Sequence, residues 1–80
     1  MTDSDQLLVD RLRNKDKGAF ELVFNEYYSL LIPYAMRFMD TNEDAEEVIQ
    51  EVFVKFWEKC ESLSPDSSIK SYLYRSVHNT

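Results

Sequence analysis

The residues able to do chemistry in this chain are mostly carboxylates, and their placement limits what that chemistry can be. Glu43, Asp44, Glu46, Glu47 and Glu51 crowd one short stretch beside a single amide, Gln50, and an aliphatic residue, Val54. Acidic residues at the start of a helix gain about 0.3–1 kcal/mol each from its macrodipole, so the cluster needs no catalytic pair to account for it. One His and one Cys cannot assemble a zinc site, and the lone Gly18 cannot build a phosphate loop. Cys60 falls on an apolar stripe and reads as a buried structural thiol, while His78 reads as a surface residue. No enzyme site and no cofactor or metal are expected, which leaves binding.

A binding face can be drawn on the same acidic stretch. Glu47, Gln50, Glu51, Val54 and Glu58 share the polar side of a helix, and Val54 is the apolar exception among them. Charge runs ordinarily do no more than solvate an exposed face. An aliphatic spot inside a polar rim also suits a helix-to-helix protein contact. From the pattern alone the two readings stand level.

The elements that must position this face follow from hydrophobic period. One Gly and two Pro in eighty residues, with no β-branched run between turn signals, favour long helices over strands. The expected fold is all-α, a compact bundle of three to four helices. A first helix is predicted over about Asp5 to Arg13, with Asp3 and Gln6 spaced as a capping box and Leu8 and Leu12 on its apolar side. Asp16 is placed to cap a second helix, Lys17 to Phe38, whose stripe is Phe20, Val23, Phe24, Tyr27, Leu31, Tyr34, Ala35 and Phe38. Pro33 should bend that helix without stopping it, because the stripe continues in phase.

Thr41 or Asn42 caps a third helix, Glu43 to Glu61, with Ala45, Val48, Ile49, Val52, Phe53, Phe56, Trp57 and Cys60 inward. Ser62 to Ser68 is a loop by its Ser, Pro and Asp content. A fourth helix starts near Ile69, capped by Ser67 or Ser68, and its pattern runs to the last residue. Ile69, Tyr72, Leu73, Ser76 and Thr80 are predicted inward and Lys70, Ser71, Tyr74, Arg75 and His78 outward. Phe24, Phe53, Phe56, Trp57 and Leu73 are expected to share one core. The unfinished fourth helix suggests a single domain, residues 1–80, cut from a longer protein.

Charge separates the ends of the chain. Net charge is −6, and all of it lies in residues 1–60, which carry seven Lys/Arg against thirteen Asp/Glu; residues 61–80 balance with two of each. An acidic body repels duplex DNA, whose binding rests on phosphate neutralisation. A protein partner is the compositional expectation. The lack of an apolar leader or of an 18-residue apolar run gives secretion and membrane insertion no support, so the cytoplasm is the expected compartment.

The stretch from Asp44 to Trp57, DAEEVIQEVFVKFW, closely resembles the region 2.2 helix of bacterial sigma factors of the extracytoplasmic function (ECF) group. Ala19 to Tyr28 resembles region 2.1, and Ser71 to Asn79 resembles the start of the promoter-engaging helix. The resemblance implies a transcription initiation domain that docks on the clamp helices of the largest subunit of core RNA polymerase and helps recognise and melt the minus-ten element. It assigns docking to Glu47, Gln50, Glu51 and Val54. It assigns capture of the non-template single strand to Leu63, Lys70, Tyr74, Arg75 and Asn79, since a flipped base needs a stacking wall and edge donors. An anti-sigma factor is a further implied partner. On the same resemblance the promoter helix is incomplete here and the second DNA-binding domain absent. Leu63, Pro65 and Ser76 depart from the family pattern and leave base preference open. The competing expectation is a helical protein-interaction domain with no role on DNA.

Overall fold

Three side-chain oxygens start three of the helices. Asp16 Oδ1 accepts from the Gly18 N–H at 2.8 Å and the Ala19 N–H at 3.3 Å, Thr41 Oγ1 from Asp44 at 3.1 Å, and Ser68 Oγ from Ser71 at 3.2 Å. Each satisfies first-turn donors that a helix cannot pair internally. In the computed structural model, which describes residues 3–79, the elements are α1 (Asp3–Arg13), α2 (Lys17–Met36), α3 (Asn42–Lys59), a 3₁₀ turn (Cys60–Ser62) and α4 (Ile69–His78). No strand occurs among the described residues. No described helix is long and apolar enough to cross a membrane.

The boundaries shift from the sequence expectation where local hydrogen bonding changes. α1 already contains Asp3, so the capping box does not start it there, and its cap position lies outside the described residues. Pro33 sits inside α2, which continues to Met36 and ends two residues early as the Arg37 and Phe38 N–H groups turn back to the Tyr34 and Ala35 carbonyls. α3 tightens into the 3₁₀ turn, where the Leu63 N–H reaches the Cys60 carbonyl at 3.3 Å. The inward line of α4 is Ile69, Leu73 and Val77, spaced by four. Val77 takes the core position given to Ser76, whose hydroxyl instead donates to the Tyr72 carbonyl at 2.8 Å. Thr80 lies outside the described residues.

α2 and α3 run antiparallel, because the start of α2 meets the end of α3. Phe20 touches Phe56 and Trp57 with ring centroids 6.3 and 5.1 Å away, and one turn on Phe24 meets Phe53 at 4.9 Å. Phe56 is fully buried and lies 5.5 Å from Tyr72, which ties α4 to the pair. Val9 and Leu12 of α1 are wholly buried, while Leu7 is exposed. Burying an aliphatic or Phe side chain of this size gains about 1.5–3 kcal/mol, so this contiguous cluster is the source of the fold's stability. Of the expected shared core, Phe53, Phe56 and Leu73 are buried, whereas Phe24 and Trp57 are only partly so and line the surface.

Candidate functional site

The outward side of α3 is the stripe its period demands. Glu47, Gln50, Glu51 and Val54 are all exposed, with Val54 at 58% of its surface open. Opposite them Ala45, Ile49, Val52, Phe53 and Phe56 are buried, so the face stands on a rigid helix anchored by its own core side. Glu51 is paired with Lys55 one turn on, Oε1 to Nζ 3.2 Å. Both partners are well exposed, and such i,i+4 pairs contribute only a few tenths of a kcal/mol, so a partner's cation can displace Lys55 at little cost.

An apolar groove opens along one side of this stripe. Phe20, Phe24, Phe53 and Trp57 form its walls, Gln50, Val54 and Glu58 its α3 rim, and Lys17 and Glu21 its α2 rim. On the other side of the stripe, Glu51 lines a smaller hollow with Lys55, Lys59, Tyr72, Ser76 and Asn79. The residues that the resemblance assigns to docking therefore straddle a ridge: Gln50 and Val54 line the aromatic groove, and Glu51 faces the hollow beside α4.

The residues assigned to the DNA strand are spread across α4. Lys70, Arg75 and Asn79 are exposed and Tyr74 is half-buried. Tyr74 leans toward α2, its ring 4.8 Å from Tyr34, and that ring meets Phe38 at 5.4 Å; Phe38 in turn meets His78 at 5.3 Å. The Arg37 guanidinium lies 5.9 Å from the Tyr34 ring. α4 contains no acidic residue, so its outward arc is basic and aromatic within an acidic protein. Asn79 terminates α4, its N–H bonded to the Arg75 carbonyl, and stands on the α3 flank. Leu63 is set apart from these residues: at 9% exposure it packs with the core beneath the loop.

Sequence reasoning placed Phe20, Phe24 and Trp57 in the core and missed that they wall a groove. The available signal was their position at the margin of each stripe, next to Lys17, Glu21 and Glu58. Tyr34 and Phe38 were likewise read as core, and their contacts with Tyr74 and His78 depend on where α4 crosses, which no local pattern encodes. The Arg11 guanidinium, 2.8 Å away, with the Ala19 and Gly18 amides, holds the Asp16 carboxyl below the ordinary carboxylate range. It serves the start of α2 and lies outside both faces.

The structure is a small helical body with one acidic, aliphatic-centred ridge and one basic, aromatic edge. The chain belongs to the sigma-70 region 2 family, whose model matches residues 23–80, and its relatives include ECF sigma factors. It is 35% identical over 77 residues to the ECF RNA polymerase sigma-E factor of Haemophilus influenzae, covering 96% of this chain and 40% of the relative. It is 33% identical over 78 residues to the RNA polymerase sigma-H factor of Pseudomonas aeruginosa, covering 98% of this chain and 40% of that one. The chain thus spans about two fifths of the length of the curated relatives it matches. A solved NMR structure of an engineered region 2 of sigmaE in complex with GTAAAA superposes with a TM-score of 0.83 at 28% identity, over 99% of this chain and 84% of that one.

Proposed function

We propose that this domain joins core RNA polymerase to promoter DNA during transcription initiation in the bacterial cytoplasm, and acts by binding alone, without catalysis. The observation that carries the proposal is the ridge on α3: four assigned residues, all exposed, on a helix anchored from its other side by buried Ala45, Ile49, Val52, Phe53 and Phe56. Glu47, Gln50, Glu51 and Val54 dock on the clamp helices of the largest subunit, with Val54 as the desolvated centre and the acids facing cations. Lys70, Tyr74, Arg75 and Asn79 hold the non-template strand of the minus-ten element, while Leu63, buried in the core, anchors the loop that precedes α4. The structural relative was solved in complex with GTAAAA, which supports a nucleic-acid ligand for this domain. The basic, aromatic character of α4 favours this over an interaction domain with no role on DNA, because stacking rings beside cations suit unpaired bases. An anti-sigma factor would act by covering either face.

The test is a titration of the protein against core RNA polymerase, with Gln50→Ala and Glu51→Lys beside the parent and circular dichroism confirming helicity. Changing a central interface residue commonly costs about 2 kcal/mol or more, roughly thirtyfold in affinity. Both variants should lose at least that while remaining folded. Parent-like affinity in both would show that the ridge does not dock.

A further inference from the structure

Lys15 is the single described non-glycine residue with a left-handed backbone, φ 58°. The backbone closes α1 in this conformation, the Lys15 N–H bonding to the Leu12 carbonyl and the Asp16 N–H to the Arg11 carbonyl, each at 3.0 Å. From the α1–α2 turn the ammonium crosses to the end of α3, donates to the Trp57 carbonyl, and sits 4.5 Å from the centroid of the Trp57 ring. Glu61 Oε1 lies 3.7 Å from the same nitrogen. The Trp57 carbonyl also accepts from the Cys60 thiol at 3.2 Å, so the last turn of α3 is tied at this one residue. Phe20 meets the indole edge-on at 5.1 Å. The indole is thereby held between a ring of α2 and a cation from the turn before it.

We infer that Lys15 is a positioning residue for polymerase docking: it fixes the Trp57 indole as a wall of the groove beside Gln50 and Val54, without itself reaching the partner. The inference rests on the docking ridge proposed above. Its chemistry is simple. A cation over an indole face is worth roughly 0.5–1 kcal/mol at partly exposed sites, and the carbonyl contact adds a favourable charge at a helix C-terminus. Removing the ammonium frees the indole to turn across the groove mouth, and a partner must then reorder it on binding. A lysine with only a stabilising role would affect melting and leave the affinity of the folded protein unchanged.

Trp57 is the sole tryptophan, so its fluorescence anisotropy and near-ultraviolet dichroism report the indole directly. The experiment compares the parent with Lys15→Met, Lys15→Gly and Lys15→Arg in three readouts: the indole signals, thermal melting, and titration with core RNA polymerase well below the melting point. Lys15→Gly removes the cation and also relieves the left-handed backbone, so it keeps the fold testable if Lys15→Met does not. The expected result is a more mobile indole and a roughly two- to fivefold weaker polymerase affinity in both Met and Gly variants, with Arg restoring both. Gln50→Ala measured alongside separates the two ideas. If Gln50→Ala loses affinity while folded Met and Gly variants bind like the parent, the positioning role is overturned and the ridge stands. If Gln50→Ala also binds like the parent, the ridge and the inference fall together. An indole signal unchanged by either variant overturns the positioning role whatever the affinity.

Discussion

α3 and α4 carry the two proposed faces, and they differ in how many elements build each one. The α3 ridge is made by one helix: Glu47, Gln50, Glu51 and Val54 follow from its 3.6-residue period, and all four are exposed as the pattern requires. The α4 edge is assembled from several elements. Tyr74 rests on Tyr34 of α2, Asn79 stands on the α3 flank, and Leu63 is drawn into the core. A face that lies on one helix is fixed once the buried side of that helix is fixed. A face shared by three elements depends on how they cross, and it is correspondingly sensitive to changes in the core beneath it.

The largest expected effect removes the support common to both. Phe56 is fully buried and touches Phe20 of α2 and Tyr72 of α4. Phe56→Ala should cost about 3–5 kcal/mol, close to the whole stability of so small a domain, and abolish the cooperative melt. Trp57→Ala should cost clearly less, since the indole is partly exposed in the groove wall. Equal losses from the two, read by thermal melting, would erase the distinction between core and groove.

A smaller effect should separate the edge from the ridge. Base stacking on an aromatic is worth roughly 1–3 kcal/mol, so Tyr74→Ala should weaken binding to a single-stranded minus-ten oligonucleotide by about five- to a hundredfold. The parent should bind that strand weakly and duplex DNA negligibly at physiological salt, because thirteen acids in residues 1–60 oppose phosphate. Fluorescence anisotropy measures both. Duplex binding that persists at high salt would contradict the charge argument.

The smallest effect lies away from both faces. Asp16 has its folded pKa lowered, chiefly by Arg11. Its contribution is therefore present above the unfolded carboxylate value, about 3.9, and is lost as pH falls through the lower folded value. Melts of parent and Asp16→Asn from pH 5 to pH 2 should converge at the acid end. A constant gap between them would show that the charge of Asp16 adds nothing to its capping role.

Much of this organisation was legible in sequence for physical reasons that differ by residue. Asp16, and Thr41 as one of two candidates with Asn42, revealed two helix starts because capping is a local hydrogen bond, and the α3 stripe revealed its own inside and outside. Val77 was missed because α4 is short and the inward phases of Ser76 and Val77 are separated only by packing against α2 and α3. Lys15 carried no pattern at all: its partner, Trp57, is forty-two residues away, and the contact exists only once α3 folds back beside the turn. Leu63 read as loop because Ser and Pro surround it, yet the 3₁₀ turn delivers it to the core.

The central claim is that one small domain carries two separable faces, and one crossed measurement addresses it. Affinities for core RNA polymerase and for a single-stranded minus-ten oligonucleotide are determined for the parent, Glu51→Lys and Tyr74→Ala, all checked for native helicity. Glu51→Lys should lose roughly thirtyfold or more on polymerase and keep or slightly gain affinity for the strand, since it exchanges a negative for a positive charge. Tyr74→Ala should lose the strand and leave polymerase unchanged. If either folded variant loses both partners, or neither variant loses its assigned one, the division of labour between α3 and α4 is wrong.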